Sequence, residues 1–578
     1  MPRVHSRSPI DRVVLILSAS RLRRIRAPRA SRGSSLATSC LLVVLALVLF
    51  LSACEGCRTP STPTPTTDAS EAVAEARLYL VSDIAGALEP CGCVKDQLGG
   101  MDHFGALLSQ EKGKAKASAL LTAGPLFFMD MEVESDRRRQ EYTKAGTIAK
   151  AMKVLGLVAF APGRNEWAGN ADVLRGLVKD SAASLVAANL EAKDVPVVRW
   201  TKAKLGSIEL GIVGVAAPDK AKVPLADVTS SAAADAVKAG VDALKKEGVT
   251  AVIALAAVGR GEAKRIADTS PDLLAIVVGS TGGSGDASTT PPPAERVGDV
   301  LIVETANHLQ TVATLDLFPR AGGAKGAFVK FQDGTGIEKT RKREELSRRI
   351  DELRIRLATW EKDKTVDPKD VEARKGDLAK LEAERDALDQ SPPPAAGSYY
   401  RYAMHEVREK LGADDAVKSE MLQYYKLVNI SNKRDFSDRK PKPPAKGEAG
   451  YVGIDVCTNC HDDARKVWDG TAHAHAYATL EKGFKEYNLD CVSCHVTGYD
   501  RPGGSTVTHV DALTSVQCEV CHGPGQLHAA KPEKVKIPVA KPTGDVCLTC
   551  HHPPHVHSFD ANAKMAEILG PGHGKPKK

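Results

Sequence analysis

Eight cysteines near the C-terminus occur in four copies of one motif, Cys-x-x-Cys-His. Two thiols at this spacing can each add to a vinyl group of one haem, and the adjacent histidine then lies under the iron as its proximal ligand. The motifs therefore predict four covalent c-type haems. The predicted attachment residues are Cys457, Cys460, Cys491, Cys494, Cys518, Cys521, Cys547 and Cys550. The predicted proximal ligands are His461, His495, His522 and His551.

Two other chemistries are compatible with a Cys-x-x-Cys pair, namely zinc binding and a redox-active dithiol. Neither needs a histidine at the same position in all four copies. The chain has 13 cysteines, and an odd number cannot be explained by disulfides alone. These points favour haem over both alternatives.

The sixth coordination position of each haem iron needs a second ligand or stays open. Outside the motifs, the region offers eight histidines, namely His473, His475, His509, His528, His552, His555, His557 and His573. From these we take five as candidate distal ligands, namely His473, His475, His528, His555 and His557. Eight histidines are enough to give all four haem irons a second histidine ligand. They are equally compatible with one haem whose sixth position stays open.

The residues around these motifs resemble a known family. Trp468, the run Thr-Ala-His-Ala-His-Ala from residue 471 and the pattern Cys-x-x-Cys-His-Gly-Pro-Gly-x-x-His at Cys518–His528 are similar to tetrahaem cytochromes c. That family includes the electron acceptor of bacterial hydroxylamine oxidation. The resemblance covers residues 451–560 and implies closely stacked haems that pass electrons one at a time. It allows one haem without a distal ligand, and His495 has the least obvious partner.

These roughly 110 residues hold few large apolar side chains. A unit of this size rarely folds on such a core alone. Four haems would supply the missing apolar volume and eight thioether bonds the cross-links. We therefore expect this part of the chain to be unfolded without haem.

Residues 77–320 have a different pattern, in which short apolar runs alternate with helical stretches such as 232–247. This alternation predicts a layered α/β domain. The predicted strands are 78–82, 119–122, 157–161, 185–188, 210–215, 251–256, 274–278 and 301–305.

Leu78–Pro90 and the later Gly99-Gly100 resemble the opening of secreted 5′-nucleotidases, which are calcineurin-like metallophosphatases. The resemblance implies a two-metal phosphoesterase site, but most of the family's ligand positions are changed here. Only Asp83 and, less closely, Asn165 match ligands, and Gly279–Gly282 replaces the last His-x-His motif. The residues that remain do not suit two divalent metals. We therefore expect no phosphoesterase activity.

The loop after the first predicted strand carries Cys91-Gly-Cys93, which resembles a cysteine pair in some nucleotidase-like exported proteins. One hypothesis is a redox or soft-metal site, surrounded by Asp83, His103, Asn165 and Glu166, that exchanges electrons with the haems. The alternative is a structural disulfide in an oxidising compartment.

The remaining segments are predicted from composition. Residues 1–53 are typical of a bacterial lipoprotein signal, since Leu-Ser-Ala-Cys resembles the lipobox and Cys54 would carry the lipid. An uncleaved anchor helix is the alternative. Residues 54–76 and 437–450 are predicted linkers, and residues 561–578 a C-terminal tail. Residues 337–390 predict a helical hairpin, a short coiled coil, and residues 396–436 a further helical segment.

A chain of 578 residues with 43% hydrophobic and 26% charged residues suggests roughly three or four folded units. Its net charge of +7, from 79 basic and 72 acidic residues, gives no reason to expect a nucleic-acid partner. The sequence favours a lipid-anchored electron-transfer cytochrome on the periplasmic side of a bacterial membrane, serving redox partner proteins. The alternatives are a multihaem oxidoreductase that acts at an open haem or at Cys91/Cys93, and a phosphoesterase with a fused cytochrome.

Overall fold

The computed structural model describes residues 73–91, 97–217, 228–282, 290–320, 327–361, 366–388, 393–552, 556, 559–570 and 573. All of them belong to one compact unit, Glu71–Lys578. The predicted signal, Cys54 and most of the first linker lie outside the described residues.

The first half of the chain is rich in strands, and helices dominate the rest. The strands are β1 (Ala74–Ser82), β2 (Pro90–Cys91), β3 (Leu98–Gly99), β4 (Ala115–Gly124), β5 (Leu157–Pro162), β6 (Ser184–Val186), β7 (Leu190–Ala192), β8 (Val197–Val198), β9 (Trp200–Leu205), β10 (Ile208–Ala216), β11 (Val228–Ser230), β12 (Ala251–Ala257), β13 (Ala275–Val278), β14 (Glu295–Val297), β15 (Val300–Val303), β16 (Thr311–Phe318), β17 (Gln332–Asp333) and β18 (Tyr399–Glu406). The helices are α1 (Met101–Glu111), α2 (Arg138–Val154), α3 (Ala171–Ser181), α4 (Ala233–Lys246), α5 (Arg260–Thr269), α6 (Ile337–Trp360), α7 (Pro368–Asp386), α8 (Asp415–Asp435), α9 (Ile454–Thr458), α10 (Asp462–Asp469), α11 (Ala476–Lys482), α12 (Cys518–His522), α13 (Gln526–Ala530) and α14 (Ala561–Ile568).

Two sheets form the centre of the α/β domain. The larger has the strand order β17-β18-β16-β1-β4-β5-β6-β8, and the smaller has the order β14-β15-β13-β12-β10-β9. Strands β1, β4, β5, β6 and β8 run parallel, as do β10, β12, β13 and β15. Apart from the edge strand β8, these strands are covered by helices and by the other sheet, so they are largely buried and almost continuously apolar. The predicted layered α/β fold is confirmed.

Strand β1 shows how its sequence fits this position. Its side chains from Ala76 onward are buried, and one of them is the charged Arg77. The Arg77 guanidinium donates two hydrogen bonds of 2.6 Å to the Asp316 carboxylate on the neighbouring strand β16, and a further one to Glu111. A buried charge is tolerated where it is paired in this bidentate way.

The segment after the hairpin corrects one sequence-based expectation. A helix was expected from Tyr400, but residues Tyr399–Glu406 form β18, which pairs antiparallel with β16, and the helix begins only at Asp415. Tyr400 is fully buried, so its ring completes the core of the larger sheet. Aromatic residues favour such a position in a strand. The larger sheet therefore takes two strands, β17 and β18, from beyond residue 320.

The predicted helical hairpin corresponds to α6 and α7, which lie between β17 and β18. Ion pairs from Arg354 to Glu382 (2.6 Å) and from Lys375 to Glu361 (2.8 Å) align the two helices antiparallel. The apolar contact between them is narrow, since α6 buries four side chains and α7 one.

The C-terminal segment, residues 451–570, is made of short helices joined by loops. Within the described residues it contributes to one small apolar cluster, built from Tyr477, Leu480, Leu489, Val492, Val496 and Val507 together with Phe436. No helix in the described part of the chain is both long enough and apolar enough to span a bilayer.

Candidate functional site

The carboxyl ends of β1, β4, β5 and β13 meet at one edge of the two sheets. The Ser82 hydroxyl donates a 2.6 Å hydrogen bond to the carbonyl of Val278, which joins the ends of β1 and β13. Ligands of α/β domains bind at such an edge. Asp83, the first residue after β1, lies here with a positive φ of 46°.

The Asp83 carboxylate is already bonded to the protein. It accepts the backbone N–H of Ser280 at 2.9 and 3.1 Å. Gly124 is needed beside it, because a Cβ there would come within 1.8 Å of Asp83 Oδ1, and Gly124 itself has a φ of 91°. Burial raises the pKa of Asp83 to about 7, although the Ser280 amide acts in the opposite direction.

Asn165 and Glu166 bond to the backbone of residues 126–129. The Asn165 amide donates to the carbonyls of Phe128 (3.1 Å) and Met129 (2.6 Å). Glu166 Oε1 accepts the N–H groups of Leu126 and Phe127 at 2.6 and 2.9 Å. Burial raises the pKa of Glu166 to about 8, partly offset by these amides. Both side chains therefore shape this loop.

This edge does not fit the two-metal site that the resemblance implies. A two-metal phosphoesterase needs several carboxylate and imidazole ligands around each pair of ions. Among the described residues, there is no group of three or more His, Cys, Asp or Glu side chains able to hold a metal ion. The backbone of residues 279–282 fills the space instead, and a Cβ on Gly282 would lie 2.6 Å from Asn165 Oδ1.

The proposed cysteine site can be located only in part. The backbone of Cys91 is in β2, which pairs with β3, whereas Cys93 lies outside the described residues. His103 is near this strand, because a Cβ on Gly100 would contact both His103 Cδ2 (2.8 Å) and Pro90 Cδ (3.1 Å). Asn165 and Glu166 bond elsewhere, as described above. The redox role of Cys91 and Cys93 stays a prediction, and unchanged haem reduction after both are replaced by serine would remove it.

The four Cys-x-x-Cys-His motifs are brought together in pairs. The thiols of Cys457 and Cys518 lie close enough to shift each other's pKa, and the helices that carry them are in contact, so the first motif lies against the third. The Cys494 thiol likewise raises the pKa of Cys550, so the second motif lies beside the fourth. Pairs of attachment sites this close would place pairs of haems side by side.

Two polar side chains just before and within the third motif hold it against the first. The buried Glu519 carboxylate accepts the N–H groups of Val452, Gly453 and Gly525 at 2.6 to 3.1 Å. The Gln517 side chain accepts the N–H of Ile454 at 2.7 Å. These bonds fix the start of α9, and with it Cys457, relative to α12.

Three histidines have a fixed ring orientation. In His495, His522 and His528, Nδ1 bonds to a backbone carbonyl at 2.6 to 2.7 Å. A carbonyl can only accept, so Nδ1 carries the proton and Nε2 keeps a lone pair. A second bond of this kind is what orients a metal-ligating histidine. All three rings are thus prepared to bind iron through Nε2.

Two motif histidines lie close to a second histidine. The ring centres of His551 and His473 are 6.2 Å apart, and those of His522 and His573 are 6.0 Å apart. Two imidazoles that bind one metal from opposite sides, with bonds of about 2 Å, have ring centres about 6 Å apart. Burial lowers the pKa of His473, His551 and His573, which favours the neutral form that binds metal.

The other candidate distal ligands are less defined. His475 follows His473 in a 3₁₀ turn, but its ring does not face a motif histidine in the described structure. His555 and His557 lie outside the described residues. His573 was not among the five distal candidates, because it lies in the predicted tail and no motif precedes it closely. Its only signal in the sequence was its residue type.

The geometry of the C-terminal segment can now be compared with known proteins. Residues 456–523 match the family model for cytochrome c554 and c-prime. Cytochrome c-554 of Nitrosomonas europaea is 35% identical over 95 residues, a match that takes in 14% of this chain and 40% of that cytochrome. The predicted resemblance to this family is confirmed, for a segment that spans less than half of its relative. The fourth motif lies beyond the residues that match the family model.

Solved structures similar to the chain include metallophosphatases. The 5′-nucleotidase precursor of Thermus thermophilus is 14% identical with a TM-score of 0.42, over 79% of this chain and 73% of that one. A calcineurin-like phosphoesterase of Bacillus subtilis is 17% identical with a TM-score of 0.36, over 44% and 86% of the two chains. Identities this low indicate a similar fold alone. Any activity of the domain depends on the side chains at its sheet edge.

Asp83 makes the stability of the α/β domain dependent on pH. Its folded-state pKa lies above that of a free aspartate, so its ionisation opposes folding as the pH rises from about 4 to about 7. In Asp83→Asn the Ser280 bond can persist without a charge. We expect this variant to be more stable than wild type by about 2 kcal/mol at pH 8, less than the full shift implies because Asp83 is partly exposed, and equally stable near pH 4. The measurement is urea unfolding at both pH values.

Asp172→Asn is the matched control, since Asp172 is exposed and pairs with the neighbouring Arg175 on the surface of α3. It should not change the pH dependence. A stability gain for Asp83→Asn that is the same at pH 4 and pH 8 would contradict the assignment.

Proposed function

We propose that this protein is a multihaem c-type cytochrome that transfers electrons outside the cytoplasm. The facing histidine pairs, His473 with His551 and His522 with His573, carry the proposal, because their spacing is that of two ligands on one iron. They occur beside Cys-x-x-Cys pairs whose sulfurs are thiols and not disulfides. The family match supports covalent haem at the first three motifs.

Four haems are proposed, one for each motif, and each haem would supply an iron that cycles between the ferrous and ferric states. The residues of the chain orient the ligands and exclude water. For the fourth haem we propose the ligands His551 and His473, and for the third His522 and His573. The ligand pair of the third haem includes His573, so it brings the predicted C-terminal tail into the haem region.

We further propose that the α/β domain has no phosphoesterase activity. Asp83 is bonded to the Ser280 amide, and Asn165 is bonded to backbone carbonyls, so the two residues that match metal ligands have other partners. The backbone at Gly282 occupies the space beside Asn165.

The location and the partners follow from the same proposal. Thioether attachment of haem supports a location outside the cytoplasm, and the predicted lipid at Cys54 supports a tether to a membrane. Redox partner proteins would deliver and remove the electrons.

Haem loading tests the central proposal. Protein from a host that matures c-type cytochromes should carry the mass of four haems, and Cys547→Ala/Cys550→Ala should carry three. Intact-protein mass spectrometry and the pyridine haemochrome spectrum measure both. Cys91→Ser/Cys93→Ser is the control and should keep all four. Absence of tetrapyrrole mass from the wild-type protein would exclude the proposed function.

The distal ligands can be tested one haem at a time. His473→Ala and His573→Ala should each convert one low-spin ferric haem to the high-spin form, because the iron loses its sixth ligand. Electron paramagnetic resonance and carbon monoxide binding to the reduced protein report this change. His405→Ala is the control, since His405 lies on β18 in the α/β domain, where its Nε2 bonds to the Thr314 hydroxyl. Unchanged low-spin signals in both variants would refute the pairing.

The absence of phosphoesterase activity is tested directly. Purified holoprotein incubated with a nucleoside monophosphate and Mn²⁺, Mg²⁺ or Zn²⁺ should release no more phosphate than buffer does. Colorimetric phosphate determination is sufficient. Release that saturates with substrate and is lost in Asp83→Asn would show that the sheet edge is catalytic.

A further inference from the structure

The second haem motif is bound to the α/β domain. Helices α2 and α8 pack together and contact residues 487–490, which lead into Cys491. The Asn432 amide of α8 donates to the carbonyl of Tyr487 (2.8 Å) and to Gln140 Oε1 (2.9 Å). Gln140 of α2 also accepts the N–H of Leu489 (2.9 Å). These polar groups are nearly all buried, and each of them has a hydrogen-bond partner. The contact is therefore a specific interface.

Four charges lie at the same place. Lys144 Nζ bonds to Asp490 at 3.1 Å and to Glu141 at 2.9 Å, and the Arg137 guanidinium also bonds to Asp490. The Lys144 side chain is only 8% exposed. Burial opposes its charge, but the two carboxylates outweigh burial and raise the pKa of Lys144, so it stays an ammonium ion.

The cluster adjoins the attachment cysteine. Asp490 precedes Cys491, whose N–H donates to the carbonyl of Asn488 at 3.0 Å. Burial, followed by the charge of Asp490, raises the pKa of the Cys491 thiol to about 12. A haem attached at Cys491 would therefore lie within the field of Lys144 and Asp490, in surroundings where water screens little.

A second contact involves Lys485, six residues before Cys491. Glu89, two residues before Cys91, accepts hydrogen bonds from the Tyr425 hydroxyl (2.6 Å) and from Lys485 Nζ (2.8 Å). The α/β domain thus contacts the chain before the second motif through α2, α8 and the strand leading to Cys91.

We propose that Lys144 and Asp490 are positioning residues for the second haem, which hold its attachment segment on the α/β domain and set its reduction potential. The inference rests on the proposed function, since it requires haem at Cys491 and Cys494. Oxidation of that haem removes one electron, which passes to a neighbouring haem, and leaves one more positive charge on the iron. A nearby carboxylate stabilises the ferric form and a nearby ammonium the ferrous form.

The two charges therefore predict shifts of opposite sign. Asp490→Asn should raise the potential of one haem, and Lys144→Met should lower it, each changing that haem's reduction equilibrium by about threefold or more. The double variant should lie near wild type. The reduction potentials of the other three haems should change less. Spectroelectrochemical titration of the full-length holoprotein measures all four.

Two further variants keep the test decisive if a buried charge is needed for folding. Lys144→Arg keeps the charge and should restore the wild-type potential. Arg137→Gln removes a cation from the same Asp490 at a more exposed position, and should lower the potential as Lys144→Met does. Lys202→Met is the control, because Lys202 lies on β9 and pairs with the half-exposed Glu247.

Shifts of the same sign for Lys144→Met and Asp490→Asn, equal shifts of all four haems, or no shift would overturn the inference. Peptide mass spectrometry separates this from failure of the proposed function. If the peptide with Cys491 and Cys494 carries no haem, the haem assignment of this motif is wrong. If it carries haem and the potentials do not move, only the role of Lys144 and Asp490 is wrong.

Discussion

The C-terminal segment lacks the apolar side chains that a folded unit of its length needs. Its described residues contribute to one small cluster around Val492 and Val496, whereas the α/β domain buries two extensive cores. Backbone and polar bonds, such as those of Glu519, hold its turns in register, but such bonds add little net stability of their own. We therefore expect the segment to need apolar volume that its own side chains do not supply. Covalent haem would fill that volume and cross-link the turns around it.

The α/β domain stands in contrast, since its described strands pack into two apolar cores and the described polar groups at its sheet edge bond to the protein. Strands of almost uninterrupted apolar character need no cofactor to pack. At the edge, backbone amides bond to the Asp83 and Glu166 carboxylates. A fold can thus keep its architecture while the groups at its binding edge turn inward and stabilise loops, as Asn165 does. Under the proposal made above, the role of this domain lies at α2 and α8, where Gln140 and Asn432 contact the segment before Cys491.

Much of this arrangement could be predicted from local sequence. The apolar runs that predicted strands, such as 251–256 in β12, carry no polar residue and are too short for a buried helix, so their length favoured a buried strand. The haem motifs were predicted because their chemistry needs a fixed local spacing. Strand β18 was missed because Tyr399 and Tyr400 precede a long charged helix, and only the neighbouring strand β16 makes that stretch a strand. His522 and His573 are some 50 residues apart in the sequence and come together only in the folded chain. No local sequence pattern predicts this contact.

The interface at the second motif was hidden for a related reason. Gln140, Asn432 and Asn488 are residue types that usually face solvent, and their burial is compensated because Gln140 bonds to both asparagines. A sequence shows the donors and acceptors but not the match between them. Polar interfaces between domains are therefore harder to foresee than apolar cores.

The helical hairpin leaves and re-enters the larger sheet at neighbouring points, since Gln332 of β17 pairs directly with Tyr399 of β18. An excursion whose two ends are adjacent can lengthen, shorten or be exchanged without altering the register of the strands that flank it. The hairpin as a whole is accordingly a position at which a foreign module, such as a fluorescent reporter or an electrode tether, could replace α6 and α7.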